Sequence, residues 1–150
     1  MLRGYFSLPL RRIAFWGFLL NMVWEFAQCT LLYDMWDWGF WRATFAMWAA
    51  IFGDVLIVLG VVLGAILLLG AGRLQPPSPG GWAALLCVGL VAAVGLEWAA
   101  QALELWGYSP LMPTLDIGGR SVGLSPLAQV TVLPAGSVYM HHRTADRSSG

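Results

Sequence analysis

Lysine is absent from this 150-residue chain: all eight basic residues are arginines, and charged residues of either sign make up only 11% of the sequence. Soluble domains carry roughly 25% charged residues, so an ordinary water-exposed surface cannot be built from this composition. No concentrated basic face and no glycine-rich phosphate loop occurs, which argues against nucleic-acid and nucleotide partners. Histidine is confined to the adjacent pair His141 and His142, whose side chains diverge on a helix and make a poor chelate. With no histidine or lysine near the turns Ser109-Pro110 and Ser125-Pro126, hydrolase chemistry is disfavoured. Cysteine is nearly missing too: Cys29 and Cys87 fall near opposite ends of two apolar runs, too far apart for a disulfide. They read as buried apolar thiols, and neither a metal site nor a cofactor is implied.

What the chain has is apolar length. Hydrophobic residues make up 59% and the mean hydropathy is +0.70, the balance of a membrane protein. A helix needs about 20 apolar residues to cross the hydrocarbon layer, and 13–33, 46–70 and 82–106 each supply that. Segment 126–142 is a shorter fourth candidate. Ser125-Pro126 marks its start, with serine as cap and proline at the first helical position, and Pro134 is expected to kink it, leaving a re-entrant segment as an alternative. The expected fold is a single all-α domain over 1–150, an integral membrane bundle of four helices, with residues 143–150 as a disordered tail. Arg11 and Arg12 precede the first run as in a signal peptide, but Glu25 and Gln28 stand where small residues would be needed for cleavage, so the run reads as retained.

An up-and-down bundle places Arg3, Arg11, Arg12, Arg73, Arg143 and Arg147 on one side, against Arg42 and Arg120 on the other. The positive-inside rule then puts both termini in the cytoplasm, in a multi-pass protein of the plasma (inner) membrane. The outer half holds the carboxylates: Glu25, Asp34, Asp37, Asp54, Glu97, Glu104 and Asp116.

Polar residues inside the apolar runs are the anomaly. Asn21, Glu25 and Gln28 form one stripe on the first helix, and Glu97, Gln101 and Glu104 repeat the spacing on the third. By the helical rise, Glu25, Asp54 and Glu97 share a level about 12 to 14 Å below the outer boundary, and Gln129 enters from the fourth helix. Ionisable groups at such depth face a bundle interior or a wet cavity. No basic residue lies within the first three runs. Three resolutions are open: protonated carboxyls, since desolvation disfavours the charged form; a shared cation; or Arg42 and Arg120 reaching inward.

Of the nine tryptophans, Trp36, Trp38, Trp41, Trp82 and Trp106 suit interfacial belts. Trp24 and Trp98 adjoin the buried glutamates and either line or flank a pocket. Gly60 and Gly64, with Gly53, suit close helix packing. Residues 116–120 read as a tight outer turn that covers the pocket, with Gly118 and Gly119 supplying positive φ.

These residues point first to an acidic, aromatic pocket near the outer leaflet that binds or conducts a proton, a cation or a cationic ligand, in an oligomer or a larger membrane complex. Its expected members are Asn21, Glu25, Gln28, Asp54, Glu97, Gln101, Glu104 and Gln129. A structural or assembly subunit would instead turn the stripes outward. A lipid or isoprenoid enzyme would use Glu25 or Glu97 as general acid. Beyond the lipid bilayer, the partners considered are a second copy of the chain and other membrane subunits.

Overall fold

The computed structural model describes residues 9–147, with side chains through 145. Arg3, the side chains of Asp146 and Arg147, and segment 148–150 lie outside the described residues. Four long helices dominate: α1 (Leu10–Leu32), α2 (Phe40–Leu69), α3 (Pro79–Ala102) and α4 (Leu124–Arg147). A single 3-10 turn, Ala71–Arg73, joins α2 to α3, and a hairpin of β1 (Thr114–Ile117) and β2 (Arg120–Gly123) leads into α4. Two helices, α2 and α3, are long and apolar enough to cross a membrane. The first helix falls short because the Asn21, Glu25 and Gln28 stripe interrupts its apolar run.

The helices are set by small and polar residues at four-residue spacing. On α3 the buried line is Gly81, Leu85, Gly89, Ala93 and Glu97, and on α1 it is Ile13, Gly17, Asn21 and Glu25 with Gln28 and Cys29 beside it. Residues four apart stack on one face, so each line is the seam a neighbouring helix fills. The core between them is built from Ile13, Val58, Val62, Ala65, Leu85 and Val138. Large apolar side chains such as Phe45, Phe52, Leu56 and Leu67 are exposed on α2.

Several boundaries differ from the sequence reading. The fourth helix is not short: its 24 residues run unbroken through Pro134 and past His142 to Arg147, so residues 143–147 continue the helix where a frayed tail was expected. Proline lacks an N–H and frees the carbonyl four residues earlier, here Val130. That carbonyl meets Gly89 of α3, where an added methyl would lie 2.8 Å from the Val130 oxygen. A glycine Cα–H on the carbonyl oxygen replaces part of the lost hydrogen bond. Ser125 is not the cap of α4, because the helix already begins at Leu124; its hydroxyl donates instead to Gln28 Oε1 at 2.7 Å. The Ser-Pro cap occurs instead at α3, where Ser78 Oγ accepts from Gly81 N and Pro79 takes the first helical position. Gly53 and Gly60 meet no neighbour; Gly64 does, at Val88.

At its far end α3 stops at Ala102 in a Schellman turn, with Leu105 N–H donating to Ala100 O and Glu104 N–H to Gln101 O. The position that glycine usually takes there is Glu104, at φ 52°. The chain then returns across the end of α1, where Ser109 donates from its N–H to Leu32 O and from its hydroxyl to Leu31 O. Two otherwise unpaired carbonyls of that helix end are thereby satisfied. Gly118 and Gly119, both at positive φ, form the two-residue turn that a hairpin of this twist requires.

Candidate functional site

The end of the bundle where α1 and α3 finish and α2 and α4 begin contains a cavity of about 470 Å³. Every helix gives it a wall: Glu25 and Cys29 from α1, Gly53 and Asp54 from α2, Ala93 and Glu97 from α3, Pro126 and Gln129 from α4. Tyr33, Asp34, Trp38 and Trp106 line it from the connecting segments. The three carboxyls placed at one depth by the sequence thus meet a single space.

Gln129 organises the floor. Its Nε2 lies 2.8 Å from Glu25 Oε1, 2.8 Å from Asp54 Oδ2 and 3.0 Å from Asn21 Oδ1, while its Oε1 accepts from Gln28 Nε2 at 2.7 Å. An amide nitrogen carries two hydrogens, so three acceptors compete for them. Gln28 Nε2 also reaches Glu25 Oε1 at 2.5 Å, and Gln28 Oε1 accepts from Trp24 Nε1 and Ser125 Oγ. Asn21 closes its own donor onto Gly17 O at 2.8 Å. Glu25 and Asp54 thus converge on the same amide nitrogen.

Glu97 stands somewhat apart on the opposite wall. It is buried, and its Oε2 accepts from Gly123 N at 3.3 Å, an N–H that also points to the Tyr108 hydroxyl at 3.2 Å. The hairpin is tied to α3 at this point.

Some expected members lie elsewhere. Gln101 donates to Ser121 O at 2.7 Å on the hairpin side of α3, and Glu104 is exposed in the Schellman turn. Four-residue steps on α3 from Gly81 put Glu97 on the seam, and the helix ends before Glu104 can follow it. Replacing Glu104 by glycine is expected to leave ligand binding unchanged and raise stability by roughly 0.5–1 kcal/mol, since glycine alone tolerates this φ without strain; a thermal melt of both proteins checks it. Trp98 also leaves the cavity, packing under the hairpin turn at Gly118, and Trp24 gives its N–H to an amide instead of a carboxylate. The outer turn 116–120 therefore rests on α3 and does not cover the cavity.

Residues that sequence reasoning placed elsewhere belong here. Cys29 is buried, but against Glu25 Oε2 at 2.9 Å and not in an apolar setting, while Cys87 is exposed. Cys29 lies four residues after Glu25, and that spacing was the available signal. Trp38 and Trp106, assigned to a belt, line the cavity. His141 and His142 lie on α4 at the other end: His141 is buried with Nδ1 unpartnered, and His142 Nε2 meets Leu74 O at 2.8 Å.

The outer arginines do not neutralise the acids. Arg42 lies over the Trp38 ring, 3.9 Å from its centroid, and Arg120 Nη1 reaches the Trp98 carbonyl at 3.4 Å. Among the described residues no group of three or more His, Cys, Asp or Glu is arranged to hold a metal ion. Comparison with protein-family models, curated proteins and solved structures finds no match to this chain, so function is argued from the site itself.

Proposed function

We propose that the chain is a multi-pass protein of the plasma (inner) membrane whose cavity binds an organic cation in exchange for a proton shared by Glu25 and Asp54. The observation that carries this reading is the meeting of three carboxyls from three helices on one largely apolar cavity, two of them bridged by the Gln129 amide nitrogen. Two carboxyls drawn to one amide nitrogen favour sharing a proton, because two adjacent carboxylates repel. Removing that proton leaves a site with an unbalanced negative charge in a medium where such charge is expensive. A cation entering the cavity restores the balance.

The cavity walls favour a ligand with apolar substituents over a bare ion. Tyr33, Trp38 and Trp106 supply aromatic surface, which attracts spread positive charge, and the volume falls in the range of small-molecule sites, about 300–1,000 Å³. All four helices cross the bilayer in this reading. By helical rise α1 and α4 reach roughly 34–36 Å, and their polar residues face one another across the seam, leaving apolar faces for lipid. The arginines of the helix ends then set both termini in the cytoplasm. The inward turn of Asn21, Glu25, Gln28 and Glu97 favours this reading over a subunit that uses them as external contacts. Transport, as distinct from binding, requires a second copy or a larger partner, since four helices offer little for an alternating gate.

The test uses protein in lipid nanodiscs titrated with tetraphenylphosphonium between pH 6 and 8. Binding is expected to release about one proton per cation and to tighten as pH rises, because protons compete for the same carboxyls. Glu25→Gln and Asp54→Asn are each expected to weaken binding by at least about tenfold. Unchanged affinity in both variants, or equal affinity for neutral triphenylphosphine oxide, rejects the proposal.

A further inference from the structure

The opposite end of the bundle carries a second recess, lined by Arg11, Arg12, Phe15, Trp16 and Thr144. Both arginines sit in the first turn of α1, which contains no acidic residue. That placement is locally unfavourable, because the positive end of a helix dipole repels cations by about 0.3–1 kcal/mol each. Among the described residues neither guanidinium has an acidic partner, so an anion from outside could supply one. An anion at this helix end would meet two guanidiniums and the helix dipole together.

The recess is also graded along the helix. Arg11 and Arg12 occupy its end nearest the terminus, and Thr144 reaches it from α4. About one turn deeper come Phe15 and Trp16, whose rings meet edge to face with centroids 5.8 Å apart. The ligand that fits is charged and phosphate-like at one end and apolar along the rest. Arginine matches phosphate oxygens with paired N–H donors, and the two rings offer a surface for an acyl chain. Basic recesses between helices at the cytoplasmic face suit anionic lipid headgroups.

We propose that this recess is a binding site for an anionic glycerophospholipid of the inner leaflet, the phosphate held by Arg11 and Arg12 and the chain lying past Phe15 and Trp16. The site rests on the membrane reading above but not on the acidic cavity, and the two fail separately.

The experiment is native mass spectrometry of the purified full chain with added phosphatidylglycerol or phosphatidylcholine of equal chain length. Phosphatidylglycerol is expected to be retained at least about tenfold better, in line with two charge-assisted contacts. The Arg11→Gln/Arg12→Gln double variant is expected to lose that preference, Arg11→Lys/Arg12→Lys to keep part of it, and Arg42→Gln/Arg120→Gln, at the other end, to keep all of it. An unchanged thermal melt of the Arg11→Gln/Arg12→Gln protein, followed by circular dichroism, reports that it is folded. Undiminished preference in the Arg11→Gln/Arg12→Gln protein, or equal loss on changing Arg42 and Arg120, overturns the site. Inorganic phosphate that displaces phosphatidylglycerol at equal concentration overturns the lipid assignment, since the rings would then contribute nothing.

Discussion

Gln129→Leu is expected to lower stability by about 2–4 kcal/mol and to abolish cation binding. The side chain joins α4 to Asn21, Gln28 and Glu25 of α1 and to Asp54 of α2, and a leucine of similar length offers none of these contacts. Single interhelical hydrogen bonds in membrane proteins average only about 0.6 kcal/mol. Three at most are made at once, since the amide nitrogen has two hydrogens. Their joint loss, with buried acceptors left short of a donor, exceeds that several times over, because stranded buried polar groups cost about 1–3 kcal/mol each. Unfolding in mixed micelles, followed by circular dichroism, gives the stability, and the tetraphenylphosphonium titration gives the binding. A variant as stable as the parent would mean that the network adds little and that Gln28 alone serves Glu25.

The second large effect is expected at Gly89. A methyl there would lie 2.8 Å from the Val130 carbonyl oxygen and 3.0 Å from Thr131 Cα, both backbone atoms that no rotamer change can move. Gly89→Val must therefore push α3 away from α4, at a cost of about 1–3 kcal/mol or more for overpacking. The displacement is expected to carry along the seam to Ala93 and Glu97, about one and two turns on along the same face. The expected outcome is a destabilised protein whose cation affinity also falls although no cavity residue has changed. Gly95→Val provides the control: nothing lies within 4 Å of its added methyl, and only a small change is expected. Equal melting temperatures for the two variants would contradict the close approach.

Both effects trace to features that the sequence shows unevenly. The common depth of Glu25, Asp54 and Glu97 was legible, because interrupted hydropathy and a fixed rise per residue locate a carboxyl along a helix without any knowledge of its neighbours. Rotation about the helix axis was not fully legible. Gln101 continues the four-residue steps from 81 to 97, but what that face meets at its level is the hairpin and not the cavity, which the spacing alone does not tell. A packing stripe of glycine and alanine fixes rotation more firmly than a polar stripe near a helix end, where water or a loop can satisfy the amide.

The length of α4 was misread for a related reason. Proline at 134 and histidines at 141 and 142 are poor signals of a long helix when judged by propensity, yet a glycine on the facing helix receives the carbonyl that proline frees. That compensation comes from tertiary structure and has no local trace. The hairpin was half visible: Gly118 and Gly119 announced the turn, but the four-residue strands beside it carry too little alternation to be recognised. Trp38 and Trp106 were placed at the interface on composition alone, and only the path of the connecting segments brings them to the cavity.

The cavity has no single owner, since each helix gives one wall and the carboxyls that face it ride on three of them. Anything that tilts one helix against the others changes the spacing of the acids, and anything that draws the acids together tilts the helices in return. By thermodynamic reciprocity, bilayer thickness, a neighbouring subunit or lateral pressure will tune affinity for the guest by the same factor with which the guest biases the shape of the bundle.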